Sequence, residues 1–168
     1  VLFRSHQICA YNAMTYSFQK AIFTGRKALY YYRRSEVQAR SVQNVLRTMA
    51  TSQVQRGDLD EARRLVAQCE TVAGGDPWEA AEARIEFHLL AGDYDKALAA
   101  IDRSLASVPE DRVASRFFIN DLKVKVLWQL CDFKAIESAA RELLVIGDLS
   151  ESSLSQVSAM LALSSLFG

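Results

Sequence analysis

Hydrophobic positions recur with the 3.6-residue period of a helix along nearly the whole chain. Val42, Val45, Leu46, Met49 and Ala50 trace one such stripe, and no strand-like alternation competes with it. With the turn residues between stripes, the pattern predicts nine helices, at 8–23, 26–34, 36–56, 59–73, 77–91, 94–108, 111–130, 133–146 and 149–166. The connections are short, so successive helices are expected to run antiparallel. The fold class this implies is all-α.

A short unit recurs between the stripes. It reads Gly57-Asp58-Leu59-Asp60-Glu61-Ala62, then Gly92-Asp93-Tyr94-Asp95-Lys96-Ala97, then Cys131-Asp132-Phe133-Lys134-Ala135. Gly25 is read as a degenerate earlier copy, which sets the intervals at 32, 35 and 39 residues. These bracket a period of about 34 residues. The chemistry of the unit is that of a helix–helix joint. Glycine supplies the left-handed backbone that ends one helix. Aspartate accepts hydrogen bonds from the free N–H groups that start the next. Alanine lets the two helices approach. Asp58 with Glu61 has capping-box spacing, as do Ser35 with Gln38 and Asp148 with Glu151. Asp76-Pro77-Trp78-Glu79 places a cap, a first-turn proline and an acid at one helix start.

These units resemble tetratricopeptide repeats. Ala97-x3-Ile101 followed by Pro109 is similar to the second-helix pattern of that family, and Ala62-x3-Val66 is a weaker copy. Leu46-x2-Met49-Ala50 fits the first-helix shape. Ala81-x2-Arg84-Ile85-x2-His88 departs from it, and Ile136 stands where a small residue is usual. Such drift, with the long helices 36–56 and 111–130, is similar to the divergent repeats of large regulatory proteins. The resemblance implies a right-handed α-solenoid of antiparallel helix pairs. The first helix of each pair would line a concave groove.

Composition agrees with an ordinary folded domain. Half of the 168 residues are hydrophobic and about a quarter charged, and Pro77 and Pro109 are the only prolines. The cysteines Cys9, Cys69 and Cys131 are odd in number and widely spaced, which argues against a disulfide framework and for a reducing compartment. All three are read as packing residues. No apolar run reaches the roughly 18–20 residues that span a bilayer. A cytoplasmic location is expected, with the periplasm left open. The chain opens on Val1, and Val1-Leu2-Phe3-Arg4-Ser5 resembles a translated sequencing-adapter end. Residues 1–5 are therefore set apart as a non-native scar, and 6–168 as the repeat domain. Helix 149–166 would expose Leu154, Val157, Leu161 and Phe167 with no partner after it. The native chain is thus expected to continue at both ends, with further domains.

Sites of chemistry are scarce. There is no P-loop, GxGxxG, GxSxG or HExxH. His6 and His88 lack ligand-spaced partners, and His88 is read as a hydrogen-bonded core residue. Gly74-Gly75-Asp76 reads as a helix stop followed by a cap. Tyr30-Tyr31-Tyr32-Arg33-Arg34 interleaves aromatic and basic residues, but three consecutive tyrosines on a helix point three ways and form no stacking platform. No enzymatic activity, catalytic residue, metal or cofactor is expected, and no direct binding to nucleic acid or membrane.

The zero net charge conceals an uneven layout. Residues 1–57 carry nine basic side chains against Glu36 alone, while residues 58–111 carry five basic against thirteen acidic. On helix 77–91, Glu79, Glu82 and Glu86 fall within an arc of about 60° on an otherwise apolar surface. By the register of the resemblance this stripe faces the groove. Arg47 and Thr51 would lie on one side of it, with Asn44 and Thr48, and Phe118, Asp121, Lys125 and Trp128 on the other. Two readings stay open. The glutamates form a solvated face partly paired with Arg40 and Arg47, or they form a groove for a basic or amphipathic peptide. Function divides likewise. The chain is a scaffold that binds a protein or peptide partner on its concave face, or a sensory module of a larger signalling protein or transcriptional regulator that binds a small ligand or controls an attached output domain.

Overall fold

A computed structural model describes residues 2–32, 38–146, 158 and 161–162. Its elements are α1 (Leu2–Met14), α2 (Phe18–Tyr32), α3 (Ala39–Gln55), α4 (Leu59–Glu70), α5 (Pro77–Leu90), α6 (Tyr94–Ser107), α7 (Val113–Gln129) and α8 (Phe133–Ile146). The protein is all-α among the described residues, as the periodicity predicts. It divides into two compact units, Val1–Gly92 and Asp93–Gly168.

One joint is built four times. Tyr16, Gly57, Gly92 and Cys131 each take a left-handed backbone, with φ of 58°, 82°, 79° and 55°. The next residue starts a helix, and its carbonyl accepts from the amide four positions on, at Ala21, Ala62, Ala97 and Ile136. Those four side chains are fully buried. At three of the joints the amide after the left-handed residue closes back on the preceding helix, Ser17 to Asn12, Asp58 to Gln53 and Asp132 to Leu127. This is the hydrogen-bond closure that ends a helix at a left-handed residue.

The first joint corrects the predicted register. The helix expected over 8–23 breaks at Thr15–Ser17, and no turn occurs at Gly25, which lies buried within α2. Glycine is needed there for close approach. A Cβ on Gly25 would stand 2.5 Å from Met49 Cγ and 3.2 Å from Cys9 Sγ. Glycine in a helix interior lets neighbouring helices pack where a methyl group would collide.

Other expectations divide. Asp58 Oδ1 accepts from the Glu61 amide at 3.1 Å, and Asp132 Oδ1 from Ala135 at 3.0 Å. Asp93 makes no side-chain cap bond, and its carboxylate pairs instead with Lys96 at 2.9 Å. Helix 36–56 is described from Ala39, with Gln38 at its cap position and no side-chain cap bond. Ser35 and the Asp148–Glu151 box lie outside the described residues. So does most of the expected last helix. Leu161, expected to be exposed, packs against the apolar core of the second unit. Cys9 and Cys69 are buried as expected, but Cys131 is exposed at the α7–α8 turn. Its part is a backbone conformation, not packing.

In the first unit α1 packs on α2, α2 on α3 and α3 on α4, while α5 lies against both α3 and α4 and α1 also meets α3. Val45, Leu46, Met49, Leu65, Val66 and Phe87 hold its core. In the second unit α6 packs on α7 and α7 on α8, around Val124, Leu127, Ile136, Ala139 and Leu143. No helix among the described residues is long and apolar enough to cross a membrane.

Candidate functional site

The site begins with how α5 is placed. Asp76 Oδ1 accepts from the Trp78 amide at 2.9 Å and Pro77 takes the first turn, so the helix start is locally encoded. Its position against α3 is set by Gln43, only 2 % exposed. Gln43 Nε2 donates to the Cys69 and Asp76 carbonyls at 3.2 and 3.0 Å, and Gln43 Oε1 accepts from the Asp76 amide at 2.8 Å. One α3 side chain thereby ties down the end of α4 and the start of α5.

From that anchor the two helices meet rung by rung. Arg40 Nε donates to Glu79 Oε1 at 2.6 Å. Arg47 Nη1 donates to Glu82 Oε2 and stands 3.6 Å from Glu79 Oε2. Thr51 Oγ1 donates to Glu86 Oε2 at 3.4 Å. Residue numbers rise together along both helices, so α3 and α5 run parallel. That is the relation expected between the first helices of consecutive hairpins.

The acidic stripe is therefore paired with Arg40 and Arg47, but it is not a solvated face. Glu79 is 5 % exposed and Glu82 7 %. Glu79 Oε2 is buried without a hydrogen-bond partner. Burial pushes the Glu82 carboxyl up to about 7, against the pull of Arg47 and with the help of Glu79 and Glu86. Burial would lower the Arg47 guanidinium, but the carboxylates of Glu86, Glu82 and Glu79 outweigh it and hold the pKa above its ordinary value.

Beside the last rung lies an open cavity of about 330 Å³, lined by Ala10, Ala13 and Met14 of α1, Arg47, Thr48 and Thr51 of α3, and Glu86 of α5. Its floor is apolar and its walls are polar and charged. Arg47, Thr51, Glu79, Glu82 and Glu86 are thus brought together as the sequence predicts. Phe118, Asp121, Lys125 and Trp128 lie on α7 in the second unit. There Asp121 and Lys125 pair at 2.6 Å, and Trp128 meets the Phe133 ring edge-on at 6.0 Å. His88, expected in the core, is half-buried, its ring 5.3 Å from that of Phe87. Among the described residues no group of three or more His, Cys, Asp or Glu is placed to hold a metal ion.

The α1 floor is absent from the sequence-predicted site. Its signal is Tyr16-Ser17-Phe18-Gln19-Lys20-Ala21, which aligns with the Gly57–Ala62 unit once tyrosine is allowed at the glycine position. Compared with known proteins, the chain matches no family model, no curated protein and no solved structure.

Proposed function

We propose that the chain is a tetratricopeptide-like interaction module, built from helix pairs of the right-handed solenoid kind, and that the cavity beside α5 receives a basic or amphipathic segment of a protein partner. The recurring joint and the parallel α3–α5 contact support the repeat reading. The cavity carries the binding reading: an apolar floor from α1 adjoins the Glu86 carboxylate at the end of the α5 glutamate stripe. A lysine or arginine side chain has both matching parts, an aliphatic stem and a cationic head. Complementary charge steers such a segment to the site and sets its orientation.

Glu79 and Glu82 are buried, so replacing all three glutamates would disturb the fold itself. Glu86 and Met14 are the better probes. A fluorescent lysine-rich amphipathic peptide is expected to bind the chain in low salt and to weaken as salt rises. Glu86→Lys is expected to weaken it roughly tenfold or more, at the scale of a lost desolvated charge contact. Met14→Asp tests the floor. Equal binding by an acidic control peptide, or undiminished binding to a folded Glu86→Lys variant, would overturn the reading.

A further inference from the structure

The outer face of α2 is cationic and aromatic and carries no carboxylate. Ala21, Ile22, Gly25, Ala28 and Tyr32 are buried against the rest of the first unit. At about 100° per residue, Lys20, Phe23, Arg26, Lys27 and Tyr30 fall on the opposite side, within an arc of about 120°. All five are exposed, Phe23 by 69 % and Tyr30 by 51 %. The remaining residue in that arc is Gln19, also exposed. Helix α2 packs on α1 and α3, and none of the three contains an acidic residue. The acidic helices α4 and α5 pack on α3 and on each other. The positive charge of this face thus has no carboxylate on its own helix or on the two helices beside it, and it is suited to a polyanion.

The rings narrow the choice. Along α2 the order is Lys20, Phe23, Arg26 with Lys27, then Tyr30, so cation and ring alternate at steps of about one helical turn, or about 5 Å. A helix that lies in a membrane surface keeps its apolar and charged faces apart. Here the apolar face is already buried in the core, and the exposed face mixes rings with charges. An acidic peptide would engage the cations and give the rings no planar partner. A single nucleic-acid strand offers both groups in alternation, phosphates for cations and bases for rings.

We propose that the outer face of α2 binds single-stranded nucleic acid, with Lys20, Arg26 and Lys27 on phosphates and Phe23 and Tyr30 stacked on bases.

The tyrosine run supplies one of the two rings. Tyr32 is buried, and Tyr31 is half-buried with its ring edge-on to that of Tyr30 at 5.6 Å. The platform is built by two rings seven residues apart, about 10 Å along the axis, and not by three in a row. The cavity beside α5 has no lining residue from α2, so the inference is independent of the partner-binding reading.

The test is fluorescence anisotropy of the chain with a fluorescein-labelled oligothymidylate of about 15 nucleotides. Competitors are duplex DNA of the same length, a polyglutamate peptide and phosphatidylserine vesicles. The oligothymidylate is expected to bind in low salt, with log affinity falling against log salt at a slope of about −2, roughly 0.7 for each of three phosphate contacts. Phe23→Ala and Tyr30→Ala should each weaken binding roughly tenfold and leave that slope unchanged, as loss of stacking requires. The double variant Arg26→Gln/Lys27→Gln should reduce the magnitude of the slope by about 1.4. All of these side chains are exposed, so circular dichroism and melting temperature should match wild type. Absence of binding in low salt overturns the proposal. So does equal competition by the duplex, the peptide or the vesicles, or undiminished binding by both aromatic variants.

Discussion

Gln43 and Asp76, 33 residues apart, exchange two hydrogen bonds: the Gln43 carboxamide donates to the Asp76 carbonyl at 3.0 Å and accepts from the Asp76 amide at 2.8 Å. The side chain thus behaves as a stretch of backbone, completing the loop that delivers α5 to α3. Gly75 lies so close that a Cβ there would meet Gln43 Nε2 at 2.6 Å.

Gln43→Leu keeps the volume and removes every bond. It takes the acceptor from the Asp76 amide and one donor each from the Cys69 and Asp76 carbonyls, the latter keeping the Ala80 amide at 3.4 Å, and each buried group left unsatisfied costs about 1–3 kcal/mol. The expected loss is about 3 kcal/mol in chemical denaturation of the chain. Gly75→Ala pushes on the same amide and should also destabilise. The double variant should cost clearly less than the two singles added, because both break one contact.

Much of this fold is legible because its joints are chemical signatures. Gly57, Gly92 and Cys131 mark left-handed turns, and all three are where the repeat places them. Tyr16 takes the same backbone without the glycine that usually marks it, and Gly25 is a glycine kept for close packing and not for a turn. A turn placed at Gly25 then moves α1, and with it Ala10, Ala13 and Met14, out of the expected site. The glutamate stripe and its arginine partners are readable from helical spacing. Their burial is not, since it depends on neighbours brought together from elsewhere in the chain. Gln43 shows the same limit. A polar residue in an apolar stripe acquires a role only when the α4–α5 loop folds over it.

Gly25→Ala weighs two effects. Alanine favours the helix by about 1 kcal/mol over glycine. Its methyl group would overlap Met49 Cγ and Sδ at 2.5 and 2.6 Å. Overpacking of a core costs about 1–3 kcal/mol, so a net loss of about 1 kcal/mol is expected. Met49→Ala should then be less damaging in the Gly25→Ala background than alone, a coupling that a double-mutant cycle of denaturation midpoints measures.

Cys131 holds φ of 55° with its side chain exposed. A non-glycine residue in this region pays about 1–2 kcal/mol of steric strain. Cys131→Gly should therefore stabilise the chain by about 1 kcal/mol and raise the melting temperature. Gly57→Ala should do the reverse by a similar amount, although open space surrounds the new methyl group. Equal and opposite shifts would identify backbone conformation, not side-chain contact, as the shared requirement of the joints.

Arg47 gives the sharpest contrast. Its side chain is 23 % exposed, and it supports two carboxylates that are nearly buried. Removing one partner of a buried ion pair costs about 3–5 kcal/mol, because the other charge is left uncompensated. Arg47→Met keeps the stem and should lose about that much at pH 8. Arg47→Lys retains the charge without the planar fork and should fall between Arg47→Met and wild type. Without the guanidinium, the folded-state carboxyl pKa of Glu82 rises beyond its already raised value. A raised folded pKa means stability that is present in acid and lost as pH climbs. The deficit of Arg47→Met relative to wild type should therefore shrink as denaturation is repeated from pH 8 down towards 5. A deficit that is constant across that range would mean that Arg47 acts by packing its stem and not by answering the carboxylates of α5.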